Sequence, residues 1–398
     1  MTSYSRAQAS PRQSERISPA GRASDRWLGL LVGVGCGVQL VELPLNLSLV
    51  DALIVFIVAF AGAVWLKGSS LGWSILSRSL PWLWLVLIGS VSGLVFAADP
   101  AFGAVQLLRD FYAFAIFYAA FTWLSAKPHV SGPLANGLFA AASVCAGLIL
   151  VSTELRPSGT FTNPNYAAHF VAGVTILMLY HARRRRFLLV LLPITILAIL
   201  KTASFGAISM LAGAAIYFIW TAVSGQTWLV KVALRTSLIV VMIGVLTTGA
   251  VSSLSASERA EETGLSASRL DRSSDTRLEI WSTGLALVPS YPLGVGPGSV
   301  RNQDLALRDH ELHNDPLAYL VERGAIGLLG LVGLVISLWK SFPPQGVARV
   351  LLFAFMIGSM TRETLNYRHL WILLAVALCT DLVARSSSAP KPRAELGS

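Results

Sequence analysis

The apolar residues of this chain come in long blocks, and that feature limits the possible folds most. Stretches such as 102–124, 133–153 and 316–339 are close to the ~20 residues that cross a bilayer as a helix. They are apolar around their whole circumference instead of along one stripe. Only 13% of the 398 residues are charged and 54% are hydrophobic, against roughly 25% charged in soluble proteins. An ordinary soluble enzyme, a disordered chain and a disulfide scaffold are thereby excluded. The ~10-residue alternating segments of a transmembrane barrel are absent too. The fold class expected is all-α: a polytopic membrane protein of about twelve transmembrane helices.

The spans are read at 27–41, 47–66, 80–97, 102–124, 133–153, 164–180, 187–200, 205–223, 233–251, 316–339, 347–360 and 370–384. Residues 1–26, rich in Ser, Ala and Arg, read as a disordered cytoplasmic tail. They lack the form of a signal peptide. Residues 27–251 hold spans one to nine, 252–315 a long loop with short helices, 316–384 spans ten to twelve, and 385–398 a second tail. The net charge of +10 would raise the question of nucleic acid in a soluble protein. Here it follows topology, and no nucleic-acid partner is expected. With the N-terminus in the cytoplasm, 19 of the 31 basic residues fall on the inner side, as the positive-inside rule asks. The run Arg183–Arg186 is the strongest single marker. Both termini are then cytoplasmic, and the 252–315 loop faces outward with six Arg and ten acidic residues. Within it, Leu278, Trp281, Leu285 and Val288 share one helical face. Two readings stay open: a helix lying on the membrane surface, or one packed on neighbouring spans.

Cys36, Cys145 and Cys379 lie in apolar blocks without metal or redox spacing, so they read as core residues. The chemistry has to come from elsewhere. In His310-Glu-Leu-His313-Asn314-Asp-Pro316, Asp315 is expected to cap span ten and Pro316 to start it. His313 then precedes a helix N-terminus, whose dipole favours neutral imidazole, the form a general base needs. A polar residue that merely holds the loop is the alternative. A metal reading of His310, Glu311, His313 and Asp315 lacks the His-Glu-x-x-His spacing, so no metal and no cofactor is expected.

The segment Arg156-Pro-Ser-Gly-Thr-Phe-Thr-Asn163-Pro-Asn165 repeats the device, with Asn163 as cap and Pro164 as helix start. Two helix N-termini with Arg156 beside one of them suit an anion. Arg277 offers a fork of donors matched to phosphate oxygens, or else pairs with Glu279 or Asp275. Arg362, Glu363 and Arg368 in the last outer loop could add to an anion site. His169 and His369 read as satisfied polar residues, and Gly294–Ser299 as a tight turn. The pairs Arg109/Asp110 and Glu322/Arg323 fall within apolar spans, where opposite charges suggest pairing between helices.

Taken in order, these pieces resemble the O-antigen ligase and O-antigen polymerase superfamily of bacterial envelope glycosyltransferases. The matching residues are Gly159–Asn165, Arg277 with Trp281, the Gly294–Ser299 turn, His313-Asn314 and Glu322-Arg-Gly324-Ala-Ile-Gly327. The resemblance implies a GT-C-like fold in the bacterial inner membrane. It also implies transfer of a glycan from an undecaprenyl-diphosphate donor to a sugar hydroxyl of lipid A–core at the periplasmic face, without metal. In those terms His313 is the general base and Arg277 binds the diphosphate. Arg156, Asn163, Asn165, Asn314, Lys201 and Arg362 are supporting contacts. Many members carry Ser-Arg-Gly where this chain has Ser204-Phe205-Gly206. Lys201 or Arg156 would then substitute for the missing arginine, or the diphosphate is held differently. A polymerase of O-antigen or exopolysaccharide shares the motifs. A transporter of an anionic glycolipid is the alternative of a different class.

Overall fold

The computed structural model describes residues 19–38, 57–59, 62–63, 70–154, 156–182, 185–222, 278–301 and 312–388. Among them there are helices, turns and no strand. The helices are α1 (Pro19–Gly35), α2 (Ser70–Leu94), α3 (Pro100–Ala126), α4 (Ser131–Val151), α5 (Pro164–Ala182), α6 (Leu188–Thr202), α7 (Phe205–Ala222), α8 (278–287), α9 (Asp315–Ser341), α10 (Val347–Ser359) and α11 (Arg368–Ser388).

Four stretches among the described residues are long and apolar enough to cross a membrane: Trp73–Leu94, Pro100–Ala126, Pro128–Val151 and Asp315–Ser341. Shorter apolar helices lie at Leu188–Thr202, Phe205–Thr221 and Val347–Ser359. The chain is a multi-pass membrane protein. On α6, Leu189, Val190, Ile196 and Leu197 are exposed. Such an apolar surface suits lipid and would be a liability in water. The span expected at 233–251 and most of the one at 47–66 lie outside the described residues, as do 252–277 and 302–311.

Two boundaries differ from expectation. Helix α1 starts at Pro19, inside the stretch expected to be a disordered tail. Its Asp25 carboxylate accepts from Lys127 Nζ at 2.7 Å and lies 3.3 Å from His129 Nε2, so long-range pairing anchors a segment whose composition alone reads as polar tail. Helix α2 begins at Ser70 and carries Pro81 inside it, where a start near residue 80 was expected. A proline is tolerated within a membrane helix when its surroundings satisfy the freed backbone.

Helix α5 lies at the centre, touching α4, α6, α7, α10 and α11. Its small residues Ala167, Ala168 and Ala172 are fully buried, which lets neighbouring helices come close. Trp123, Phe117, Phe121 and Phe342 fill the adjoining core. Helix α9 packs mainly on α2, and their backbones nearly touch: a Cβ added to Gly89 would lie 2.5 Å from the Gly327 nitrogen.

Helix α9 is broken at Gly324, which takes φ 63° and ψ −172°. Beside the break, the carbonyls of Val321 and Glu322 accept from Val295 N at 3.0 Å and Gly296 N at 2.9 Å. The Gly294–Ser299 turn is thus wedged against a broken helix. Gly294 has φ 92°, and a Cβ there would sit 2.3 Å from the Glu322 carbonyl oxygen. Only glycine meets both demands.

Of the charges expected to pair between helices, Arg323 and Asp110 do so, while Arg109 donates to Gln106 of its own helix at 3.1 Å. Arg323 of α9 pairs with Asp110 of α3, lies 3.3 Å from Glu322, donates to Ser90 Oγ at 3.1 Å and covers the Tyr319 ring at 4.0 Å. Beside this centre is a small polar cavity of about 20 Å³ lined by Gln106, Asp110, Tyr319, Glu322, Arg323 and Asn366, among others. It has room for about one water.

Candidate active site

Several helix starts meet at one end of the bundle. Pro164 opens α5 as expected, and Asn163 Oδ1 accepts from Asn165 N at 2.8 Å. Arg156 ties this start to the neighbouring one: Nε donates to the Thr202 carbonyl at 3.2 Å and a terminal nitrogen to Asn165 Oδ1 at 3.2 Å. Thr202 ends α6, and α7 begins three residues later at Phe205. At that start Gly206 faces His169 of α5 and Thr361 of the α10–α11 loop, so closely that a Cβ would lie 2.7 Å from His169 Nε2. His169 Nδ1 is 2.7 Å from the Asn165 carbonyl and donates to it.

The α10–α11 loop, residues 360–367, continues the chain of contacts. Arg362 Nε donates to Tyr367 Oη at 3.2 Å. Tyr367 packs edge-on against Tyr166 at 4.5 Å and His169 at 5.3 Å. On the far side the loop meets the start of α9. Asn314 Nδ2 donates to the Met360 carbonyl at 3.1 Å, while Asn314 Oδ1 accepts from Leu317 N at 2.9 Å. Asn314, with φ −154° and ψ 106°, is therefore the N-cap. This corrects the expectation that Asp315 caps the helix. The Asp315 carboxylate instead accepts from Thr364 N, Thr364 Oγ1 and Leu365 N at 2.8, 3.2 and 3.2 Å.

His313 stands directly before this cap, half-buried, with φ 52°. The left-handed region is uncommon for a residue with a side chain, although His enters it more readily than most. Both neighbours are fixed: the Leu312 carbonyl accepts from Trp281 Nε1 at 2.7 Å, and Asn314 caps α9. Trp281 lies on α8, whose Ile280 is buried against Leu312, Ala318 and Val321 of the α9 start. The helix packs on the start of α9 through Ile280, with Val288 of the expected face partly buried against the same cluster, while Leu278 and Leu285 are exposed.

Lys201 lies on the same end. Its ammonium donates to the Leu150 and Ser152 carbonyls at 2.8 and 2.7 Å, closing the last turn of α4. Arg277, His310 and Glu311 lie outside the described residues. The structure thus gathers Arg156, Asn163 and Asn165 with Arg362, and Asn314 with the loop that carries Arg362. Sequence reasoning passed over Thr361, Tyr367 and the partners of Asp315, all of which depend on contacts far apart in the chain.

Residues 188–332, from α6 through the break in α9, match the family model described as O-antigen ligase. Over these residues, about a third of the chain, it is similar to the O-antigen ligase superfamily. The match takes in His313, Asn314, Arg277, Lys201 and the glycine turn. Arg156, Asn163, Asn165 and Arg362 lie outside it. No curated protein matches the chain. The superfamily supports a function of the O-antigen ligase or polymerase type, that of an enzyme transferring lipid-linked glycans.

Proposed function

We propose that this protein is an O-antigen ligase of the bacterial inner membrane, with both termini cytoplasmic and its site at the periplasmic face. It transfers a glycan from undecaprenyl diphosphate to a sugar hydroxyl of lipid A–core. His313 takes the proton of the acceptor hydroxyl. The freed oxygen attacks the anomeric carbon, and the bond from that carbon to the diphosphate oxygen breaks. The electron pair leaves with undecaprenyl diphosphate. Arg277, Arg156 and Arg362, with the start of α5 at Asn163 and Asn165, bind the diphosphate as negative charge gathers on it. Donors fixed before the reaction contribute most at that moment. Asn314 holds His313, and Lys201 closes α4 behind the site with one ammonium N–H left for an anion. No metal takes part.

One observation carries this reading: His313 adopts a left-handed backbone and is fixed from both sides, by the Trp281 bond to Leu312 and by the Asn314 cap. An uncommon conformation over-determined by its neighbours is a frequent mark of a working residue.

The test compares lipopolysaccharide from the native bacterium, from a strain lacking this chain, and from that strain supplied with His313→Ala. Loss of all O-antigen-bearing bands in both altered strains, with polymer still on the lipid carrier, is the expected result. Collapse to core plus a single repeat means a polymerase instead. Normal bands with His313→Ala remove the general-base role. Transfer by the purified protein is expected to continue in EDTA.

A further inference from the structure

Asp315 is the first residue of a membrane-crossing helix, is 3% exposed, and does not cap that helix. All three of its hydrogen bonds reach one short segment on the far side of the sequence, Thr364 and Leu365, through a single carboxylate oxygen. Its neighbour Asn314 grips the other end of that segment at the Met360 carbonyl. Arg362 lies between the two grips. Residues 360–367 form a turn without a helix or strand of their own; the Arg362 N–H donates to the Gly358 carbonyl at the end of α10 at 3.1 Å, and the two grips set how that turn lies against the start of α9. His313 is two residues before Asp315 and belongs to the same rigid start of α9.

We propose that Asp315 is a positioning residue: it clamps the 360–367 loop to the start of α9 and so fixes Arg362 in register with His313. What that register serves rests on the function proposed above; the clamp rests on the contacts alone. A side-chain carbonyl-type oxygen is suited to the task because it accepts two backbone N–H groups and a hydroxyl together. An asparagine amide oxygen could take the same three bonds. Alanine can take none, and glutamate carries its oxygen one methylene too far.

Full-length purified protein is tested in two ways. First, transfer kinetics are measured with an undecaprenyl-diphosphate-linked donor. Asp315→Ala is expected to raise the donor KM roughly tenfold, the scale of one lost buried hydrogen bond. Asp315→Asn stays within about threefold of the parent and Asp315→Glu falls between. Added to Arg362→Ala, the alanine change contributes almost nothing further, because residues acting through one another are not additive. A role in stability alone would lower the yield of active protein with KM unchanged, and its effect would multiply with that of Arg362→Ala. Either result overturns the proposal.

Second, Arg362→Cys is labelled with a charged thiol reagent; the native Cys36, Cys145 and Cys379 are buried. The labelling rate is expected to change several-fold when Asp315→Ala is added and to stay constant with Asp315→Asn. An unchanged rate with alanine overturns the clamp. A changed rate together with no transfer by the parent protein leaves the clamp standing and sinks the enzymatic reading instead.

Discussion

Arg323 and Arg156 are both drawn in among helices, and their surroundings differ in kind. Arg323 lies between two carboxylates, Asp110 and Glu322, with an aromatic ring beneath it. Arg156 is held by a backbone carbonyl and an amide oxygen, between two helix starts. In the first region opposite charges meet inside the bundle and stabilise each other. In the second, the Thr202 carbonyl and the Asn165 amide oxygen are two partners of a cation at the place where helix starts also gather. Carboxylate pairing suits a structural centre. On the function proposed above, Arg156 is the arginine that meets a charge from outside.

The comparison is open to direct attack, and the largest effect belongs to its first half. Arg323→Ala strands Asp110 and Glu322 in the bundle and is expected to cost about 3–5 kcal/mol, seen as a fall in the thermal midpoint of the purified protein. The double change Asp110→Leu with Arg323→Met should recover most of it. Arg156→Ala should cost under ~1 kcal/mol of stability while lowering transfer at equal folded protein by roughly a hundredfold. Equal losses of stability from the two arginines would erase the distinction.

Smaller effects sharpen it. Gly294→Ala places a Cβ against the Glu322 carbonyl at a backbone angle alanine resists, for a loss of about 2–3 kcal/mol by the same thermal measurement. Asn314→Ala removes a helix cap worth about 1 kcal/mol. Because the same side chain grips Met360, transfer should fall further than stability. Lys201→Met opens the end of α4 at about 0.5–1 kcal/mol and should reduce transfer only a few-fold at matched folded protein. A hundredfold fall there would move Lys201 into the diphosphate site proper.

What could be read from sequence was what local chemistry decides. Asn163-Pro164 announced a helix start because cap and first turn lie within a few residues. Apolar runs announced α3, α4 and α9 for the same reason. Asp315 was misassigned because two adjacent residues both make good caps, and the partners that decide between them lie some fifty positions later. Arg323 could be expected to pair, yet its partner Asp110 is 213 residues away. The break at Gly324 was hidden because a lone glycine is tolerated inside a helical run, and what breaks this one is the Gly294–Ser299 turn packed against it. On α8 the apolar residues occupy more than one face, so the sequence left open whether Leu278 and Leu285 meet lipid or neighbouring spans, and it did not single out Ile280, which is buried.

The broken helix also has a bearing on how the protein is made. The 294–298 segment that splints α9 is synthesised just before it, so the splint is at hand when the two halves of the helix emerge. Its other wall, Gly93 of α2, whose added Cβ would lie 2.6 Å from the Glu322 carbonyl, was made long before. The first of these partners is a near neighbour and the second has already entered the membrane. Biogenesis of the kink therefore depends on nothing translated later, and a nascent chain stopped after α9 should already carry it.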